Sequence, residues 1–398
     1  MRTSSDRPDA GQPGEEDRLP SVRKVFLYFL LLGFINIGGP VAQITMMYNH
    51  MVEKERWLSK DRFTRIMAFC HLLPGPEALQ LAIYVGYLRL GVIGGTVAGL
   101  TFIVPGALGM IGMSYLYVTY GNLPQVQDML LVLKPAVLGI IAAGIIKLGG
   151  AAIRTVFLAI LVAVAVLAMF FARLDFLVVL FGAGVLNLAY AELGPRIGKP
   201  GWALFAPVAV AGVKAPAATG AGWLAMSWLF LKTGLFSFGG AYASLIFVER
   251  GAVERFHWLT GGQLLDGVAM SVATPGPFML FTTFVGYLAN GVGGAVLATF
   301  LVFLPSFVFV IFGTRHLERA RNQRHVQAFL AGASAAVVGV IVVVSWKLVP
   351  DALVGVSGYA IAAVSFLAIV WRKIDVAAIA IAAMVSGGVF ALVHPLLR

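Results

Sequence analysis

The chain has 398 residues, 60% of them hydrophobic and 12% charged, with a mean hydropathy of +0.90. That exceeds what a soluble globular core of this length needs and makes the chain an integral membrane protein. A net charge of +11 would suggest nucleic acid as a partner in a soluble protein, but the basic residues lie in loops between apolar runs and read as topology determinants.

Residues 1–21 are polar and rich in Pro and Gly, without the apolar core of a signal peptide, and read as a disordered tail. Residues 22–190 form a first membrane domain. It opens with an apolar segment broken at Gly38-Gly39-Pro40, followed by a charged connector containing Glu53, Arg56 and Trp57. A second apolar segment is broken inside "HLLPGPEAL", residues 71–79, and four plain apolar segments follow near 92–118, 130–147, 155–172 and 176–190. Residues 191–222 are a connector, in which the insertion of Trp202 to Val213 is left open. Residues 223–398 repeat the same order: a break at Gly239-Gly240, a connector with Arg250 and Glu254, a break inside "SVATPGPFML", and segments near 293–313, 328–347, 353–371 and 376–393.

Residues 90–127 and 267–314 contain no Asp, Glu, Lys or Arg, and each exceeds the roughly 20 residues that cross a bilayer as a helix. The continuous apolar runs exclude an outer-membrane barrel, whose strands alternate. The fold class is therefore all-α and polytopic.

The chain is written twice. At an offset of 201, Gly33, Gly38, Gly39, Glu53, Trp57, Leu58 and Pro74-Gly75-Pro76 meet Gly234, Gly239, Gly240, Glu254, Trp258, Leu259 and Pro275-Gly276-Pro277. At an offset of 200, Gly86-Tyr87, Pro105, Gly139 and Lys147-Leu148 meet their copies. Matched loops carry opposite charge bias. "YGNLPQVQD" has no basic residue, whereas its counterpart "RHLERARNQRH" has Arg315, Arg319, Arg321 and Arg324; the connector bias runs the other way. Because Lys and Arg favour the cytoplasmic side, this predicts an inverted repeat, with a parallel repeat as the alternative.

Unsatisfied backbone is costly in hydrocarbon, so breaks survive only where protein or a water-lined cavity covers them. Pro76 suits the first turn of a new helix, which leaves the N–H groups of Glu77, Ala78 and Leu79 without helical partners, with Phe278, Met279 and Leu280 in the second copy. Such helix starts attract anions, and paired breaks point to a transporter's binding site; kinks and helix-packing surfaces are the bland alternative. The candidate substrate-binding set is Gly38, Gly39, Pro40, Gln43, Pro74, Gly75, Pro76, Glu77, Ala78, Gln80, Lys232, Gly239, Gly240, Pro275, Gly276, Pro277 and Phe278.

Within that set, Lys232 lies inside an apolar run where its counterpart is Leu31, and it either supplies a counter-charge to a dianion or snorkels to an interface. Glu77 is a candidate for proton coupling or a first-turn cap, and Gln80 an amide donor or a packing residue. Glu53, Arg56, Trp57, Arg250 and Glu254 are candidates for a gate or anion funnel, against the simpler reading of solvated pairs and an interfacial Trp. Cys70 is the only cysteine and the six histidines lack ligand spacing, so neither metal nor cofactor is expected. No Ser/His/Asp set and no phosphate-cradling motif is present, which argues against an enzyme and against ATP drive.

"IGGPVAQITMMYNHMVEKERWLSKDRF", "CHLLPGPEALQLAIYVGYL" and "GGTVAGLTFIVPG" resemble the first half of the chromate ion transporter (CHR) family, long two-domain type. "FSFGGAYASLIFVERGAVERFHWL" and "VATPGPFMLFTTFVGYL" resemble its second half. The resemblance implies a multi-pass inner-membrane protein that exports chromate and confers resistance, with sulfate as the related anion. The expected partners are that oxyanion and the lipid bilayer, with no nucleic acid; protons are a candidate coupling ion that the energetics do not demand, and the sequence leaves a homo-oligomer open. Two family features are absent. Met47-Tyr48-Asn49-His50 stands where an M-H-x-E pattern is usual, and Ala68-Phe69-Cys70-His71 where N-Y-C precedes the LLPGP. Any role of the usual His and acidic residue is then lost here or moved to His50 and His71.

Overall fold

The computed structural model describes residues 21–37, 39–71, 73–197, 222–238, 241–321 and 323–393. Gly38, Gly239, Gly240, residues 1–20 and most of the 191–222 connector lie outside the described residues.

The described elements are helical. In the first half they are α1 (Val22–Ile35), α2 (Gly39–Tyr48), α3 (Lys60–Cys70), α4 (Glu77–Tyr120), α5 (Pro124–Ala152), α6 (Val156–Phe170) and α7 (Phe176–Ile197). In the second they are α8 (Trp223–Phe236), α9 (Ser244–Val248), α10 (Gly261–Ala273), α11 (Phe281–Arg321), α12 (Arg324–Ala352), α13 (Gly355–Val370) and α14 (Val376–Val393). Six described segments are long and apolar enough to cross a membrane. Local chemistry sets the starts: Ser21, Ser59, Thr155 and Thr260 accept backbone N–H groups at the N-caps of α1, α3, α6 and α10.

The 44-residue α4 is not one rod. At Leu90-Gly91 the backbone leaves helical geometry, with Gly91 at φ +59°, and the arms 77–89 and 92–120 fold back on each other. They approach so closely that a Cβ on Gly86 would collide with the carbonyl of Gly94. α11 does the same at Asn290-Gly291, with Gly286 against Gly294.

α1 starts beside that turn, where Val22 and Phe26 share a pocket with Arg89, Leu90 and Ile93, and descends until Gly33 meets Thr101 and Pro105. This level is called the near face. The chain then reverses: α2 and a π-helical turn, Asn49–Lys54, climb back until His50 stacks on Tyr28 at 3.9 Å and Glu55 pairs with Lys24 at 3.4 Å. α3 descends again, the PGP turn reverses the chain, and the arm 77–89 returns to the near face. The first half thus opens with two helical hairpins that return to the near face, tipped at Asn36 and at Leu73–Pro76, before its plain helices.

The second half repeats this construction upside down. Tyr117, near the end of α4, packs edge-on to Phe284, close to the second turn, while Gly99, near the start of the long arm, meets Phe307, well along α11. The long arms therefore run antiparallel. α5 and α12 do so too: Gly149 lies by Val338, whereas Lys134 and Asp351 both stand beside Gly262. The backbone copies itself closely. Eight of the nine left-handed residues among those described fall in matched pairs, Arg56 with His257, Gly75 with Gly276, Gly91 with Gly291 and Arg173 with Lys373, Gly355 being the exception, and a π-helical turn recurs at Glu249–Arg255.

The halves are interlocked. α6 and α7 of the first half pack on α12 of the second, while α13 and α14 pack on α5. Glycines allow the contact: Gly139 faces Ala362 and Ser365, and Gly339 faces Val162 and Ala165.

Candidate functional site

The inversion brings the tips of the helical hairpins together across the halves. The N–H of Gly276 in the second PGP turn donates to Asn36, 2.7 Å to the side-chain oxygen and 3.2 Å to the backbone oxygen. Reciprocally, the N–H of Gly75 in the first PGP turn donates to the backbone oxygen of Ser237 at 3.1 Å, and Ser237 is the counterpart of Asn36. Each broken segment is covered by the other's broken segment, which is how non-helical backbone survives at membrane depth. Both glycines are required as such. Gly75 has φ +111° and Gly276 φ +122°, and a Cβ at Gly75 would press on Ser306 Oγ, at Gly276 on Leu280.

Side chains complete the crossing. Gln43 is buried and donates from Nε2 to the carbonyl of Gly276 at 2.8 Å and to Asn36 Oδ1 at 3.1 Å. Gln80, also buried, donates to the carbonyl of Pro74 at 2.7 Å and so closes the first turn; its Oε1 has no partner. Two buried donors at the crossing also have no partner among the described residues: Asn36 Nδ2 and the Ser306 hydroxyl. Pro76 and Pro277 provide no side-chain cap to the helical turns they begin. A small hollow at the second turn is lined by Tyr242, Ser271, Thr274, Gly276 and Phe278. Such a set of hydrogen-bond donors and uncapped helix starts suits a small anion.

The remaining expected residues are dispersed. Glu77 pairs with His71, Oε1 to Nδ1 2.9 Å. Phe278, in the equivalent place, packs on Tyr242 with ring centroids 4.7 Å apart. Ala78 is buried in the first turn of α4, and Gly39 and Pro40 begin α2. Lys232 is partly buried with Nζ over the Phe247 ring, 5.7 Å from its centroid. Glu53 and Arg56 are exposed at the near face, while Trp57 is buried, its backbone N–H donating to the carbonyl of Met51. Arg250 donates to the carbonyl of Leu174 at 2.7 Å toward the far face, and Glu254 accepts from Lys347 at 2.5 Å, with Glu249 3.5 Å from the same ammonium.

Sequence reasoning missed Asn36, Ser237, Ser306 and the buried acid Asp266. A signal existed for the first two: both are polar, lie at the offset of 201, and precede the Gly pairs. Ser306 and Asp266 give no local sign, because the segments they meet, the first PGP turn and the pair Tyr117 and Lys134, lie far away along the chain.

A family model described as chromate transporter matches residues 23–188 and again 224–390. The chain is 35% identical to a chromate transport protein of Pseudomonas aeruginosa over 96% of both chains. It is 32% identical to a chromate transport protein of Cupriavidus metallidurans over 84% of each. It is also 30% identical to a probable chromate transport protein of Synechococcus elongatus, over 81% of this chain and 83% of the relative. No solved structure matches the chain significantly.

Proposed function

This chain belongs to the chromate transporter family, and on that premise we propose that it is a secondary transporter exporting chromate across the cytoplasmic, inner membrane, thereby conferring chromate resistance. The observation that carries the reading is the reciprocal crossing of the two PGP turns, where Asn36 Nδ2 and the Ser306 hydroxyl are buried donors without partners among the described residues. A tetrahedral oxyanion has only acceptor oxygens, so it supplies what those donors and the uncapped helix starts lack. Glu77, the carboxylate at the first helix start, is engaged with His71, and Phe278 carries no charge at the second, so a dianion meets little repulsion there.

In this reading the turn residues, Gly39, Pro40, Gln43, Ala78 and Gln80 shape the site, and Lys232 provides a counter-charge on the second-half side. Glu53, Arg56 and Trp57 guard the approach from the near face, and Arg250 and Glu254 that from the far face. The near face is cytoplasmic. It carries Arg23, Lys24, Lys54, Arg56, Lys60, Arg62, Arg89 and Arg154 from the first half and Arg324, Arg372 and Lys373 from the second, whereas the far-face connections carry Arg173, Arg250 and Arg255. Export of an uncompensated dianion from a negative interior gains about 4.6 kcal/mol per 100 mV, so the potential alone is a sufficient drive; protons are a candidate coupling ion, with Glu77 on His71 as one group to test.

The competing readings are a carrier of sulfate or another oxyanion in either direction, and a membrane sensor that binds the anion without moving it. Chromate flux into proteoliposomes of purified protein, with sulfate as competitor, separates them. No chromate flux above empty vesicles rejects the proposal, preferential sulfate flux favours the first rival, and binding without flux favours the second.

A further inference from the structure

Asp266 sits on α10, the second-half helix that descends from the far face, and its side chain is 2% exposed. Its Oδ2 accepts a hydrogen bond from the Tyr117 hydroxyl at 2.8 Å. Its Oδ1 faces Lys134 Nζ at 3.3 Å but receives no directed hydrogen bond. Tyr117 comes from α4 and Lys134 from α5, so a buried carboxylate of one half is held entirely by the other half. The cluster exists once: the repeat-equivalent positions are Arg65, Leu317 and Ser334. Around it, α12 contributes Asp351 beside Gly261, and the arm 281–289 and α14 contribute no Asp, Glu, Lys, Arg or His. The neighbouring acids Glu249 and Glu254 of the π-helical turn are already on Lys347.

We infer that Asp266 is a proton-binding residue of the transport cycle, whose protonation frees Lys134 to pair with the oxyanion on the far half of its path. This rests on the transport reading above. The step is simple in charge: one proton from water adds to an Asp266 oxygen, Lys134 remains an ammonium, and the pair passes from net zero to net +1. An ammonium buried against a carboxylate has no charge to offer an anion, and a dianion approaching ionised Asp266 meets like charge in a poorly screened interior. Protonation removes both obstacles, so proton and oxyanion bind together rather than in competition. A carboxylate oxygen lacking a directed bond, beside an ammonium that is 19% exposed, is a pair able to exchange partners.

The test uses the purified full chain in proteoliposomes, with the KM for chromate measured on both sides of neutral pH. Wild type is expected to show a falling KM as pH falls. Asp266→Asn, fixed in the uncharged form, is expected to show a low KM independent of pH, and Lys134→Gln a KM raised roughly tenfold at every pH. Comparing proteins at the same pH cancels the protonation of chromate itself, and Glu77→Gln run alongside identifies any effect arising at the first turn. An Asp266→Asn protein that transports with the wild-type pH profile overturns the inference. So does recovery of wild-type pH dependence in the Lys134→Gln/Asp266→Asn double variant, which would mark the pair as structural. Should Asp266→Asn fail to assemble, Tyr117→Phe decides: loss of its hydrogen bond to the ionised carboxylate is expected to move the midpoint of the KM profile to higher pH, and an unmoved midpoint overturns the inference. Absence of flux in the wild type rejects the transport reading itself, whereas flux with an unchanged profile in the variants rejects only the role of Asp266.

Discussion

At the first PGP turn, Glu77 follows Pro76 and reaches His71, and the Gly75 N–H is received by the backbone oxygen of Ser237. At the second, Phe278 stands in the place of Glu77 and packs on Tyr242, and the Gly276 N–H is received by both the backbone and the side chain of Asn36. The backbone is the same at both: a left-handed glycine between two prolines, docked on the tip of the opposite hairpin. The difference teaches which features the architecture requires and which are available for specialisation. Two inverted halves need the same turn to cover each other, but only one needs to carry a titratable group, and only one needs a side chain as its clasp.

The comparison can be broken most severely at the shared glycines. Gly75→Leu and Gly276→Leu combine a strained backbone, worth about 1–3 kcal/mol by itself, with a collision, against Ser306 of the opposite half at Gly75 and against Leu280 of its own half at Gly276. Both are expected to abolish chromate flux, with monodispersity in detergent reporting whether the fold survives; full flux in either removes the crossing from the mechanism. The clasp comes next. Asn36→Ala withdraws the side-chain acceptor from a buried N–H and from Gln43, costing about 1–3 kcal/mol, or roughly a 5- to 150-fold loss in kcat/KM. Ser237→Ala is expected to stay near wild type, since Ser237 serves Gly75 through its backbone and its hydroxyl is turned back on Thr233. Equal losses in the two would deny the asymmetry.

A smaller effect is expected at the hairpin turns, where Gly91→Ala and Gly291→Ala meet open space and suffer backbone strain alone, about 1–3 kcal/mol. Equal Tm decreases in the two would extend the repeat to energetics. The least loss of stability is expected for Glu77→Gln. The His71–Glu77 pair is partly exposed, 54% and 21%, and its removal should cost less than about 1 kcal/mol, measured as a Tm shift. A large drop would make Glu77 a structural cap rather than a functional group.

Much of the fold was legible before any coordinates. The doubled Gly, Pro and Trp pattern marks the repeat because residues of backbone geometry persist where side-chain identity drifts. The opposed loop charges mark the inversion, which the antiparallel run of Tyr117–Phe284 and Gly99–Phe307 displays. The expected plain segments correspond to the long arms and to α5–α7 and α12–α14. The site was legible only in part. The PGP turns and Gln43 lie at the crossing, but the expectation of bare N–H groups at the second helix start fails at Leu280, whose N–H donates to the carbonyl of Pro277 at 2.9 Å because the chain begins there as a 3-10 turn. Lys232, singled out for its place in an apolar run, lies over Phe247.

By itself the sequence determined what local chemistry dictates. It specified where helices break, because proline lacks a donor and only glycine takes the left-handed backbone comfortably; that the breaks are paired, because the chain repeats; and that the two copies are inverted, because matched loops carry opposite charge bias. The tertiary structure alone decided which break covers which. Asn36 and Gly276 are separated by 240 residues, and Tyr117 and Asp266 by 149. No periodicity along a single chain records a hydrogen bond between segments that meet only when two inverted halves interlock, so Asn36, Ser306 and Asp266 acquire their roles from packing rather than from pattern.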